Sequence, residues 1–522
     1  MDYSLHWLDY FIIILSLFIS IYVGVFFVKR QKSTKNYFAA SGSIPSWAVG
    51  MSILATLVSS ITFLAYPGEG FSSNWVRLVQ GMMVPVVLLF LVWFIVPLYR
   101  QVIGISAYEY FEKRFGFFAR IYSSVGFILA HFSKMGTVFF LLALAISSMM
   151  GIDTFIVILV IGVLVIIITL IGGIEAVIWL DVIQGFMLIG GGVIALLVLL
   201  FTPEGGPSAV WNTAMESGRI GFGPFDWDFV NLTFWVMAIN GIFYAIQKYG
   251  TDQTIIQRYL TAKSDKGAIK AALIGVLLSV PVWGLFMFIG TALFSYYQLT
   301  PAVLPDGIRS DAIFPQFIMT GLPIGVTGLI LAALIAAAIS SLDSDLNCLS
   351  AIGVEDYYKR FRPNSTDAQQ LFMGKLFVAL SGIGAILVAS IYLLAGNKGV
   401  LGIIFTLYAI FSGGIAGMFL LGLFSKRANK QGLYFGVAAS VLFTGWAILT
   451  STPFGFDSEK TIILDLGDWN YTQHKYMLGV YSHFVLFGVA YFASYFFKGK
   501  DISDNLTIYK WIEQRKEIKK GL

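Results

Sequence analysis

Ala337-Ala338-Ile339-Ser340-Ser341-Leu342-Asp343-Ser344-Asp345 sets hydroxyls and carboxylates inside an otherwise apolar segment that runs from 322 to 350. At helical spacing Ser340 and Ser344 share one face, Ser341 and Asp345 share the next, and Asp343 follows Ser340 by three, so the oxygens gather along one side. In hydrocarbon such a cluster is costly unless a cation or a water path meets it, and an ionisable residue within a membrane helix defaults to a functional role. The competing reading is a helix end whose acids already face water; it suits Asp345 better than Asp343.

The composition makes the membrane setting general. Of 522 residues 57% are hydrophobic and 12% charged, with a mean hydropathy of +0.80, which excludes a water-soluble fold. Apolar runs near the roughly 20 residues needed to cross a bilayer recur along the chain. Gly/Pro punctuation places thirteen spans at about 7 to 28, 46 to 66, 76 to 99, 117 to 149, 154 to 173, 177 to 202, 231 to 250, 270 to 296, 322 to 350, 373 to 396, 400 to 424, 432 to 450 and 476 to 497, with a short amphipathic or re-entrant piece near 104 to 114. The first is read as a retained, reverse-oriented anchor and not a secretory signal, because no Lys or Arg precedes it while Lys29, Arg30, Lys32 and Lys35 follow.

The net charge of +5 is less informative than its placement. All Lys and Arg fall in one alternate set of loops or the tail, apart from Arg77, Lys134, Arg219, Lys248, Arg309, Lys398, Lys460 and Lys475. The positive-inside rule then puts the N-terminus outside and the C-terminus in the cytoplasm. The basic tail, with Lys510, Arg515, Lys516, Lys519 and Lys520, reads as a solvated topogenic segment that could also touch anionic lipid. The outer loops at 203 to 230, 297 to 321 and 451 to 475 are too small for a separate domain. The chain is therefore expected to be one membrane domain over 1-522: a leading helix (7-28), two sets of five helices (46-202 and 231-424), trailing helices (432-497) and a cytoplasmic tail (498-522). An odd set size inverts the second set relative to the first, the plan of many secondary transporters.

Corresponding first members of the two sets look interrupted. The second span carries Ala55-Thr56-Leu57-Val58-Ser59-Ser60-Ile61-Thr62 and the seventh Gln247-Lys248-Tyr249-Gly250-Thr251-Asp252-Gln253. Interrupted helices free backbone carbonyls, which suit a hard monovalent cation; alternatively the hydroxyls bond back to their own helices and Gly250 eases packing. Lys134 and Lys248 are the basic residues deepest in the predicted membrane. Each could hold a solute or serve structure, Lys248 through an ion pair with Asp252. Enzyme chemistry finds no support: His6, His131, His474 and His483 lack metal-ligand spacing, H-E-x-x-H, P-loop and G-x-S-x-G patterns are absent, and Cys348 is the only cysteine. His131 reads as a packed or pocket-lining side chain.

Gly172-Gly173-Ile174-Glu175-Ala176-Val177-Ile178-Trp179-Leu180-Asp181-Val182-Ile183-Gln184, Thr251-Asp252-Gln253 through Gln257-Arg258-Tyr259, and the Ser340-Ser341 segment resemble the sodium/solute symporter family from about residue 7 to 430. The resemblance is nearest to its bacterial sodium/sialic acid and sodium/sugar branch. It implies an all-α, leucine-transporter-type inverted five-helix repeat in the bacterial inner membrane, with one extra leading and two trailing helices. It implies a main Na+ site from the carbonyls of Ala55, Val58 and Ala337 and the hydroxyls of Ser340 and Ser341. A second cation site would use Asp181, Asp343 and Ser344, with Asp343 standing where the sialic acid branch has serine, so that a proton could replace a sodium. The solute pocket would draw on Ser59, Ser60, Thr62, Gln80, Gly81, Lys134, Tyr244, Gln247 and Lys248. Here the chain departs from the sialic acid pattern: Lys134 replaces an arginine, Leu57 a threonine and Arg77 an aromatic. The implied activity is Na+-driven import of a small polar solute, a sugar or a sugar acid such as sialic acid. An amino acid or monocarboxylate cargo, or a transporter-like sensor, is the alternative. No nucleic acid and no obligate protein partner are expected beside the solute and the lipid bilayer.

Overall fold

A chain immersed in hydrocarbon must satisfy its backbone polar groups internally, and this one does so with helices. The computed structural model describes residues 5–395, 413–451, 462–498, 504–509 and 511–513. Much of the span expected at 400 to 424, part of the loop at 451 to 475, and Lys398, Lys460, Lys510, Arg515, Lys516, Lys519 and Lys520 lie outside the described residues. In chain order the principal helices are α1 (Trp7–Phe27), α2 (Ser46–Leu57), α3 (Ser60–Ser72), α4 (Leu78–Val102), α5 (Phe117–Met150), α6 (Thr154–Phe201), α7 (Phe234–Gly250), α8 (Gln253–Thr261), α9 (Asp265–Leu299), α10 (Val326–Ile352), α11 (Asp367–Ala395), α12 (Ile415–Phe424), α13 (Lys430–Thr450) and α14 (Lys475–Ala493). The piece expected near 104 to 114 is a short helix, Glu109–Phe115.

Among the described residues nine helices are long and apolar enough to cross a membrane singly, and α2 with α3, bent by 58°, makes a tenth crossing. The difference from thirteen lies at the pair of spans expected at 154 to 173 and 177 to 202, at the one expected at 231 to 250, and at the one expected at 400 to 424, much of which is outside the described residues. The two spans of that pair both fall within α6, which joins two helical stretches across a kink. Gly173, with φ 57° and ψ −169°, breaks α6 where the two spans were separated. A Cβ there would lie 2.9 Å from the Tyr37 ring and 3.0 Å from its carbonyl oxygen, so the left-handed φ and the close approach both demand glycine. α7 has only 17 residues because the chain breaks at Thr251.

The two sequence interruptions are real breaks. Val58 leaves helical geometry at φ −104°, ψ 106°, and the Ser59 hydroxyl caps α3 by accepting from Ile61 N at 3.2 Å. Asp252 likewise caps α8, accepting from Thr254 N at 2.9 Å.

α10 is the axis of the bundle. Every residue from Ile330 to Ile352 is buried, and it packs on α6, α1, α11 and α5. Its N-terminus is held from outside: Asp9 of α1, buried, accepts at Oδ1 from the backbone N–H groups of Gly325 and Gly328, each at 2.8 Å. A Cβ on Gly328 would sit 2.5 Å from Asp9 Cα, so the glycine permits the contact. α8 is polar in sequence yet Gln253, Thr254, Gln257, Arg258 and Thr261 are buried, which requires a hydrogen-bonding network around it.

Candidate functional site

The break after α2 removes helical partners from its last carbonyls, and α10 brings its hydroxyls to them. Ser340 Oγ lies 3.3 Å from the Ala55 carbonyl oxygen and 3.0 Å from that of Ala337. Val58 stands at the break itself and is buried. The Ser341 hydroxyl, fully buried, has no hydrogen-bond partner among the described residues. A buried polar atom without a partner is expensive, and the Ala55 and Ala337 carbonyls at the Ser340 hydroxyl, with Ser341 next in sequence, offer oxygen ligands of the kind a dehydrated Na+ takes.

One turn further along α10 the three residues expected at a second cation site are gathered around a group the sequence had placed in a loop. Arg258 of α8 is fully buried. Its Nη2 donates to Asp181 Oδ2 at 2.8 Å and to Ser344 Oγ at 2.6 Å, its Nε to Ser52 Oγ at 2.7 Å and its Nη1 to the Thr254 carbonyl at 2.7 Å. Ser52 in turn donates to Asp181 Oδ2 at 2.5 Å. Asp343 accepts from Ser344, whose hydroxyl lies at 3.4 Å. Asp181 Oδ1 and Asp343 Oδ2 have no hydrogen-bond partner among the described residues. Two carboxylates thus face one guanidinium in a dry environment, an arrangement that attracts a further cation.

Beside α2 lies a cavity of about 380 Å³ between the α2–α3 break, α5 and α7. Of the residues expected to hold solute, Ser59, Lys134, Tyr244, Gln247 and Lys248 line it. Ser60, Thr62 and Gln80 do not. Ser60 and Thr62 are buried on α3, while the Gln80 backbone is packed against Gly241, where a Cβ would come within 2.7 Å of the Gln80 carbonyl oxygen. Gly81 serves helix contact, since a Cβ there would meet the Trp283 ring at 2.4 Å. Thr56, Leu57, Thr137, His131 and Asp252 also line the cavity. His131, Lys134 and Thr137 form a polar stripe at i, i+3, i+6 on α5, which the sequence pattern could have revealed.

Both lysines are paired. Lys248 Nζ donates to Asp252 Oδ2 at 2.7 Å and to Thr254 Oγ1 at 3.1 Å. Lys134 Nζ straddles the Asp345 carboxylate at 3.0 Å from Oδ2 and 3.2 Å from Oδ1. His131 stacks on Phe127 and lies between the pairs, its Nε2 3.7 Å from Asp252 and 3.6 Å from Asp345. Its Nδ1 is 3.0 Å from the Phe127 carbonyl, which can only accept, so that nitrogen carries the hydrogen.

The model of the Sodium:solute symporter family matches residues 37–439. The chain belongs to this family. The symporter is 35% identical to the sodium/sialic acid symporter of Aliivibrio fischeri over 83% of its own length and 86% of the relative's. It is 36% identical to the sodium/sialic acid symporter of Proteus mirabilis over 80% of its length and 85% of the relative's. Its structure superposes, with a TM-score of 0.85 and 32% identity, on the substrate-bound outward-open state of a Na+-coupled sialic acid symporter, covering 95% of this chain and 99% of the other. The symporter is therefore an all-α, multi-pass membrane protein of the leucine-transporter-type inverted-repeat fold, a sodium-coupled carrier of a small polar solute and not an enzyme.

Proposed function

We propose that this symporter imports a sugar or a sugar acid such as sialic acid across the bacterial inner membrane, as a single transporter domain of thirteen spans with its N-terminus outside. Na+ is bound by the carbonyls of Ala55, Val58 and Ala337 and the hydroxyls of Ser340 and Ser341. The observation that carries this reading is the fully buried Ser341 hydroxyl, with no hydrogen-bond partner among the described residues, next in sequence to Ser340, whose Oγ reaches the Ala55 carbonyl near the broken end of α2. Solute occupies the cavity next to the same break, with Ser59, Lys134, Tyr244, Gln247 and Lys248 in reach.

Coupling follows from geometry: α2 contributes to both sites, so an ion that fixes its broken end also fixes one wall of the solute cavity, and each ligand favours the same arrangement. Each Na+ adds roughly 2.3 kcal/mol per 100 mV of membrane potential to the driving force. A second cation, Na+ or a proton, balances the excess carboxylate charge of Asp181 and Asp343.

The test is uptake by the purified symporter in liposomes under an imposed Na+ gradient, screening sugars, sugar acids, amino acids and monocarboxylates. Accumulation that follows Na+ and collapses in K+ or choline supports the reading. Equal uptake in all three media, with protons excluded as driver, overturns it.

A further inference from the structure

We infer that Asp345 is a specificity-determining residue: by engaging Lys134 it leaves the solute cavity charge-balanced, so the solute accepted carries no net charge and is polyhydroxylated. The inference rests on the symport reading and on the cavity assigned above, and goes beyond it by deciding between a sugar and a sugar acid.

A lysine on α5 pointing into a solute cavity invites a carboxylate. Here a carboxylate is already present. Asp345, whose side chain is 1% exposed, reaches over from α10 and meets the Lys134 ammonium through both oxygens. The second cavity lysine, Lys248, is held in the same way by Asp252 one turn along its own segment. With the His131 imidazole neutral, the formal charge of the cavity is zero. An anion entering it would have to draw Lys134 off Asp345 and leave that carboxylate uncompensated in a buried position, where a lone charge is most costly. A zwitterion would have to open both pairs. A polyol opens neither: its hydroxyls donate to the carboxylates and accept from the ammonium groups while the pairs persist, and Ser59, Thr56, Thr137 and Gln247 add neutral partners. The Asp345 side of the pair also explains why an acid lies so deep on α10, a position for which the cation sites offer no use.

The experiment compares matched solutes differing in one charge, glucose with glucuronate and galactose with galacturonate, together with N-acetylneuraminate, in Na+-driven uptake and mutual competition. It is run in proteoliposomes at about pH 8, where an ordinary imidazole is neutral. The inference expects the neutral member of a pair to be favoured at least tenfold by the unsubstituted symporter. In Asp345→Asn, Lys134 is released and the preference moves toward the acid by at least tenfold. In the double variant Asp345→Asn with Lys134→Gln, balance is restored and the neutral preference returns, an outcome that separates charge selection from loss of folding. Na+-driven uptake that favours the acids in the unsubstituted protein overturns this inference and leaves the symport reading standing. An unchanged neutral-to-acid ratio in Asp345→Asn also overturns it. Absence of Na+-driven uptake for every solute defeats both.

Discussion

Arg258 is the residue whose role the sequence concealed most completely. Counted among the basic residues of a loop, it is instead fully buried and ties α8 to Ser52, Asp181 and Ser344. Hydropathy cannot reveal this, because the partners come from helices far apart in the chain. Arg258→Met strands the Asp181 carboxylate in a dry core and is expected to cost about 3–5 kcal/mol, read as a large fall in the thermal midpoint of the detergent-solubilised protein. Ser341→Ala tests a different kind of residue. Its hydroxyl bonds to nothing among the described residues, so stability should barely change. The half-saturating Na+ concentration should rise about tenfold or more, as for loss of one charge-assisted oxygen contact of about 1.5 kcal/mol or more. An unchanged Na+ requirement removes Ser341 from the site. The burial of Ser340 and Ser341 was legible in the sequence, since they sit at helical spacing within an apolar span; their binding of Na+ is the proposal made above. The Lys134–Asp345 pair was not, because α5 and α10 are joined only by the fold.

At the scale of helices, the legible features were those with a local chemical signature. The breaks at Val58 and Thr251 follow from polar and β-branched runs in mid-span. Gly173 was read as a boundary between spans, and the structure retains it as a one-residue interruption of α6. Invisible in sequence was the capping of α10 by α1: Asp9 lies 316 residues before Gly325. Because one carboxylate oxygen receives two N–H groups that α10 cannot satisfy itself, Asp9→Ala should destabilise the protein by about 1–2 kcal/mol. The check is a thermal melt with and without saturating Na+. If the contact also positions α10, the stabilisation gained from Na+ should shrink in the variant.

For the molecule as a whole, the end at which α5 begins and α10 finishes is closed by charge. Glu112 accepts from Arg120 at 2.6 Å and from Arg360 at 2.8 Å. Burial alone would raise its pKa, but hydrogen bonds and charge from Arg120 and Arg360 prevail and hold it below the ordinary glutamate value. A depressed carboxylate contributes stability that is complete above the unfolded-state value of about 4.3 and is lost as pH falls through the folded one. The thermal midpoint should therefore decline as pH drops below about 4, and Glu112→Gln should flatten that decline. A variant with the same acid dependence as the parent would dismiss the clamp. The all-α membrane architecture was legible through the recurring apolar runs and the resemblance of a few segments. Crossing number was harder, since two helical stretches meet at Gly173 within α6, α7 has only 17 residues, and much of the span expected at 400 to 424 lies outside the described residues.

α10 carries Ser340 and Ser341 and, one turn later, Asp345. A lineage that adapts to a new nutrient by substituting this stretch would disturb its ion handling at the same stroke, inviting futile leak across the membrane. Diversification of diet is thus freer on the facing walls, α5 and α7, which line the cavity without contributing to the proposed ion cradle.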